Sequence, residues 1–275
     1  MAEEASNGIP RSGYQTIAIQ RDGPVDWLSL NRPEKLNAIN GQMVAELSSY
    51  FSRLQDDHSC RVIALRGAGK GFCAGLDLSV FGDLQDRLPA SPAEAGEAPL
   101  LNEVVLKMRS CPQPIVALVH GAACGGGLIL ALASDIRIAG HSARMNVTFN
   151  RLGLSGCELG SSFFLPRSLG SSVANELMMT GRFIQGPRAL AAGLVSELVP
   201  DEDLEAAGRA MVDDMLALSP IGLRKTKETI EATSAIADLR AVIEIEQRTQ
   251  LECAHDPMFR AAIEEFASRS VPRNT

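Results

Sequence analysis

The sequence predicts an α/β fold: strand–strand–helix units over residues 14–199, then a helical C-terminal region. Three observations carry this. Short apolar runs such as Val62-Ile63-Ala64-Leu65 alternate with stretches whose apolar residues recur at helical spacing. Two such runs lead into glycine-rich turns, at residues 71–78 and 120–127. Beyond Pro200 the β character almost disappears.

Residues 1–13 are acidic and polar without an apolar segment, and are expected to be a disordered N-terminus rather than a signal or transit peptide. Thr16-Ile17-Ala18-Ile19 alternates, Arg21-Asp22-Gly23-Pro24 is turn chemistry, and Val25 to Leu30 returns as strand, so a hairpin is predicted. Asn31 to Lys35 breaks it. Met43, Leu47, Tyr50, Phe51 and Leu54 then mark a helix, and Arg61 to Arg66 a buried strand running into the glycine loop 67–71. Residues 82–99, with Pro89, Pro92, Gly96 and Pro99, are expected to form a mobile loop or lid. Leu100 to Arg109 reads as helix, Ile115 to Val119 as strand, Leu128 to Ala133 as a helix opened by Gly125-Gly126-Gly127, and Ile136 to Ala139 as strand. Pro200-Asp201 is a plausible boundary and helix cap. Helices are predicted over 201–218, 220–234, 238–254 and 257–268 within a helical region 200–275.

A chain of 275 residues can bury about 75% of its unfolded surface and needs no disulfides. With 45% hydrophobic and 21% charged residues it is not collagenous, coiled-coil or wholly disordered. A net charge of −7 argues against a nucleic-acid footprint, though a local basic pocket for a phosphorylated ligand stays compatible. The six cysteines form no C-x-x-C pair, and the four histidines are too scattered for a zinc pattern. Free thiols, a reducing compartment and a cytoplasmic location are expected. Residues 115–133 are mostly apolar, but their central glycines suit a buried strand, a turn and a helix better than a membrane span.

Chemistry concentrates in the two glycine turns. A strand-to-helix junction lined by glycine exposes backbone N–H groups with no side chain in the way. Two such junctions side by side would aim two donors at one carbonyl oxygen, an oxyanion hole, where one donor is worth about 2.7–4 kcal/mol of barrier. The same glycines would also serve tight packing or phosphate binding. Neither turn matches a nucleotide-binding loop.

Asn31-Arg32-Pro33-Glu34-Lys35-Leu36-Asn37-Ala38, Phe72 to Leu78, Gly121 through the glycine triplet to Asp135-Ile136, and Thr180-Gly181-Arg182 with Gly193-Leu194-Val195 together resemble the crotonase superfamily of enoyl-CoA hydratases and isomerases. The likeness spans residues 14–270. It implies a crotonase-like (ClpP/crotonase) α/β spiral of β-β-α units with a helical C-terminal trimerisation region. It also implies a homotrimer or dimer of trimers, an acyl-CoA substrate, and no cofactor beyond the CoA that the substrate carries. By position, the N–H groups of Leu76 and Gly126, beside Gly125, would hold the thioester oxygen. Lys35, Leu36, Ala38, Ala74, Gly75, Asp77 and Leu78 lie where the family holds CoA, and Arg269 is a candidate for its phosphate.

The chain departs from the pattern where it matters. In hydratases two glutamates share the proton work; their places hold Ile129 and Phe149, neither of which moves a proton. An apolar pocket and a bulky or long acyl group are the corresponding expectation. Twelve residues upstream of Gly170 stands Glu158, where several isomerases of the superfamily and a CoA-dependent dehalogenase carry a catalytic acid. A carboxyl in an apolar pocket favours its neutral form, which suits proton transfer; a helix N-terminal charge is the plainer reading. A lone carboxyl suits moving one proton between carbons, as in double-bond isomerisation. Hydration through an ordered water and a non-catalytic acyl-CoA-binding protein are the rivals. RNA binding is opposed by the acidic balance, and the serine-protease branch lacks a recognisable nucleophile. Asp135 reads as structural, Cys124 and Cys157 as packing, His120 as a core or surface histidine, and Lys225 and Lys227 as a solvated helix face.

Overall fold

The structure, a computed structural model, describes residues 13–79 and 101–270. The predicted 82–99 loop and nearly all of the predicted disordered N-terminus lie outside the described residues. Strands β1 (Ile17–Asp22) and β2 (Val25–Leu30) form the expected antiparallel hairpin, turning at Gly23 with φ 54°. Helix α1 (Gly41–Arg53) starts where the Asn40 side chain accepts the Met43 N–H at 2.9 Å, an N-cap. Then come β3 (Val62–Gly67), α2 (Leu101–Ser110), β4 (Ile115–Val119), β5 (Ala122–Cys124), α3 (Gly126–Ala133), β6 (Ile136–Gly140) and β7 (Arg144–Asn146). Helix α4 (Ser161–Thr180), which bends at Gly170, β8 (Ile184–Gln185), α5 (Gly186–Ala191) and β9 (Glu197–Val199) complete the mixed part. Helices α6 (Leu204–Leu216), α7 (Pro220–Thr233), α8 (Leu239–Ala254) and α9 (Pro257–Ser270) follow. The mixed α/β fold with a helical C-terminal region is as the sequence predicts.

Among the described residues the strands form two sheets. The larger runs β1-β2-β3-β4-β6-β9, with β2 onward parallel; the smaller runs β5-β7-β8. The pleat splits the large sheet's side chains between two cores. Leu28, Leu30, Ile63, Leu65, Ile115 and Ala117 pack with α1, α2 and α3. Val25, Trp27, Val62, Ala64, Val116 and Leu118 pack with Leu204, Val212 and Met215 of α6. Parallel strands covered on both faces carry continuous apolar runs, which is why these strands were legible. Each Leu or Ile so buried contributes about 1.5–3 kcal/mol. The apolar stretch 115–133 is β4, β5 and α3; all eight residues of α3 are buried inside the protein. Among the described residues no helix is long and apolar enough to cross a membrane.

Lys227 departs from the expected solvated face. It is only 5% exposed, donates to the carbonyls of Met108 and Gln113, and lies 2.8 Å from the Asp135 carboxylate. Asp135 also accepts the Ile115 N–H at 2.8 Å and meets Arg109, which pairs with Glu231 of α7. Asp135 is thus structural, as expected: it ties β4, α2 and α7 together. Lys225 keeps to the surface with Glu228 and Glu252. All six cysteines are free thiols.

Candidate active site

The two glycine turns lie side by side, stitched by their backbones. Phe72 N–H donates to His120 O, Cys73 N–H to Ala122 O at 2.8 Å, and Cys124 N–H to Cys73 O at 2.9 Å. Two glycines make this approach possible. Gly75 has φ 100°, and a Cβ there would stand 2.8 Å from Cys124 O. A Cβ on Gly127 would run into Cys73 O. His120 reinforces the seam, its Nε2 2.9 Å from Gly69 O.

Leu76 bridges Ile39: Ile39 N–H donates to Gly75 O and Asp77 N–H to Ile39 O, bonds that flank Leu76 and leave its own N–H turned away. Gly126 is the first residue of α3, with Gly125 as N-cap, so its N–H is an orphan of the helix start. Neither N–H has an acceptor among the described residues. Both residues line one cavity of about 210 Å³, together with Ala74, Leu78, Cys124 and Gly125 from the two turns. Its far wall comes from β7 and the 3-10 turn that follows, with Asn146, Thr148, Phe149, Arg151 and Leu152, and from Phe183 after α4. Among the described residues this lining contains no carboxylate.

The predicted site residues divide as follows. Leu76, Gly126, Gly125, Ala74, Leu78 and Phe149 share the cavity. Gly75 makes the close backbone contact behind it. Ile129 is fully buried in the main core and is not among the residues that line the cavity. Lys35, Leu36 and Ala38 lie outside the cavity on the neighbouring loop, which docks through Ala74 N–H to Leu36 O at 2.9 Å. Asp77 is buried and lies outside the cavity lining. Its carboxylate meets Ser79 and Arg32, and its N–H is spent on Ile39. The Ser79 hydrogen bond, then the Arg32 guanidinium, holds that carboxyl below its ordinary value. Arg269 falls in α9 at a position whose side chain is outside the described residues.

Glu158 is exposed and does not line the cavity, so the apolar pocket expected around it is not present among the described residues. It sits on the turn before α4, its N–H donating to Ser161 Oγ and its carbonyl accepting Ser161 N–H. The residue this turn sends inward is Leu159, at φ 54°, packed against the main core. A Cβ on Gly126 would lie 3.9 Å from Leu159 Cδ1, so the turn that carries Glu158 abuts the start of α3.

Sequence reasoning passed over several residues. Asn37, fully buried at φ 57°, donates to the carbonyls of Ala68, Gly71 and Phe72 and accepts the Arg32 N–H. It fastens the 32–38 loop to the first glycine turn. Its signal was an asparagine suited to left-handed backbone between two loops. Asn146, Arg151 and Phe183 gave no periodic signal. Burial pushes the Cys124 thiol up while the nearby Arg144 charge pulls the other way, which leaves it a packing thiol rather than a nucleophile.

The family model described as enoyl-CoA hydratase/isomerase matches residues 21–273. The chain belongs to the enoyl-CoA hydratase/isomerase family. It is 37% identical over 244 residues to EchA12 of Mycobacterium tuberculosis, named a "Probable enoyl-CoA hydratase", covering 88% of this chain and 86% of the relative. It is 30% identical over 248 residues to the 1,2-epoxyphenylacetyl-CoA isomerase of Escherichia coli, covering 90% and 94%. A crystal structure of an enoyl-CoA hydratase from Bacillus anthracis superposes with a TM-score of 0.82 at 29% identity, covering 93% of this chain and 97% of that one. The fold is crotonase-like, and the protein is an enzyme of the hydratase/isomerase type that acts on acyl-CoA.

Proposed function

We propose that this enzyme moves a proton between carbons of an acyl-CoA through an enolate, as a double-bond isomerase does. The observation that carries the reading is the pair of N–H groups, on Leu76 and Gly126, left without acceptors at one cavity whose described lining holds no carboxylate. Placed on a thioester oxygen, those donors stabilise the charge that develops when a neighbouring carbon loses its proton. They need no rearrangement during the reaction, because the backbone seam fixes them. The proton carrier then has to come from outside the described lining, and Glu158 stands on the turn that abuts the start of α3. One carboxyl serves by taking the proton from one carbon and returning it to another. Hydration by the two-carboxylate route has no residues here, since Ile129 and Phe149 hold those places. The likeness to an isomerase acting on an acyl-CoA supports this reading. The small cavity favours a short acyl group over the long one expected from sequence. The chain itself supplies the chemistry, with CoA only as part of the substrate. Free thiols support a cytoplasmic setting.

The exposure of Glu158 favours a second reading, an acyl-CoA-binding protein without turnover. Turnover of one trans-2-enoyl-CoA and one cis-3-enoyl-CoA, with product analysis, separates the two. Isomerisation in the wild type, lost by a factor of ~10² or more in Glu158→Gln, is the expected result. Binding of both esters without turnover establishes the second reading. Turnover indifferent to the substitution removes Glu158 from the mechanism.

A further inference from the structure

The cavity's lining carries one formal charge among its described residues, the guanidinium of Arg151. Arg151 is exposed, two residues after Phe149 on the same 3-10 turn, and therefore stands at the mouth rather than in the depth. Its only described side-chain partner is the ring of Phe183, 6.0 Å from the ring centroid. Arg144 lies over the same ring at 4.7 Å, also without a carboxylate partner among the described residues. Several arginines of this chain meet carboxylates, as Arg32 does Asp77, Arg109 Asp135 and Glu231, and Arg188 Glu176, while Arg53 and Arg167, like these two, lie over an aromatic ring. Two cations at one aromatic ring, with no carboxylate partner among the described residues, repel each other and favour an anion.

We propose that this mouth is an anion subsite that receives a carboxylate at the far end of the acyl group, held by Arg151 with Arg144 beside it. The inference rests on the acyl-CoA reading above and names its substrate class: a short acyl-CoA with a second, free carboxylate. The thioester oxygen meets the Leu76 and Gly126 donors, the carbon chain lies along Leu76, Leu78 and Phe149, and the free carboxylate reaches the planar fork of Arg151. That fork matches a carboxylate through two parallel hydrogen bonds, which a lysine cannot reproduce. The phosphates of CoA are the other anions available, and the test separates the two sources.

Titration calorimetry with saturated esters, which are bound without being turned over, reads the subsite directly. The probes are glutaryl-CoA, butyryl-CoA and the corresponding S-glutaryl and S-butyryl pantetheine esters, which lack the nucleotide phosphates. The expected result is that wild type prefers the glutaryl over the butyryl ester by about tenfold or more in both series. Arg151→Gln should collapse that ratio, and Arg151→Lys should keep only part of it. Equal binding of glutaryl and butyryl esters overturns the proposal. So does a loss in Arg151→Gln that is equal for both CoA esters and absent for both pantetheine esters, since the cation then serves the phosphates. Failure of wild type to bind any of the four overturns the acyl-CoA reading along with it, whereas binding without preference overturns the subsite alone. An unchanged far-ultraviolet circular dichroism spectrum confirms that the variants are folded.

Discussion

Glu46 shows how one buried carboxylate can organise a chain entry. It accepts the N–H groups of Gln15, Thr16 and Ile17, the Thr16 hydroxyl at 2.6 Å and the Gln42 amide at 2.8 Å, pinning the start of β1 to α1. Burial opposes its ionisation, but the hydrogen bonds from Gln42, Thr16 and the backbone outweigh it and hold the carboxyl below its ordinary value. A depressed folded-state value supplies stability that is fully present above the unfolded value of about 4.3 and lost as pH falls through the lower folded one. Urea denaturation from neutral pH down to about pH 3 should therefore show wild type more stable than Glu46→Gln near neutrality. The gap should narrow only below about pH 4.3. At this scale the sequence was least legible. Glu46, Asn37 and Arg151 are polar residues whose partners lie far along the chain, and no local period announces them. Glu158 was singled out by its place in a pattern, but the pattern says nothing of which residue of the turn points inward, and that residue is Leu159.

At the scale of elements, what was legible follows length and burial. Strands of five or six residues inside the large sheet, and helices with an apolar stripe, appear within a residue or two of their predicted bounds. Strands β5, β7, β8 and β9, of two or three residues, are too short to show a period of two and were missed. Helix α7 was found, but its apolar-poor sequence hid how it attaches. Its buried contact is Lys227, which holds two carbonyls and Asp135. Removing that cation leaves Arg109 as the remaining ion-pair partner of Asp135 among the described residues and takes a donor from two carbonyls. Lys227→Ala should cost ~3 kcal/mol, the lower part of the range for breaking a buried pair because Asp135 is itself 20% exposed. Equilibrium denaturation reads it, and the double variant with Asp135→Asn should recover part of the loss.

For the whole molecule, the order of the glycine turns and loops along the chain was enough to name the family. The positions where the chain departs from that family's pattern were equally visible, because they are single residues at fixed places. What the sequence did not convey is that α6 closes the second face of the sheet, so that the helical region begins as part of the core. Helices α8 and α9 differ: Leu239, Leu251, Met258, Phe259 and Ile263 are exposed, more apolar surface than a monomer comfortably leaves in water. A trimer, or a dimer of trimers, is the assembly proposed to cover it. Light scattering coupled to size exclusion should give three or six times the 29.3 kDa chain mass, and Phe259→Asp should shift the mass downward. The central claim is that two backbone donors and one carboxyl make and resolve an enolate on an acyl-CoA. Proton NMR of a cis-3-enoyl-CoA in deuterated water tests it most directly, by following exchange at the carbon next to the thioester. The account predicts exchange in wild type, slowed by ~10² or more in Glu158→Gln. Exchange at the wild-type rate in that variant, or none in a wild type that binds the ester, would contradict it.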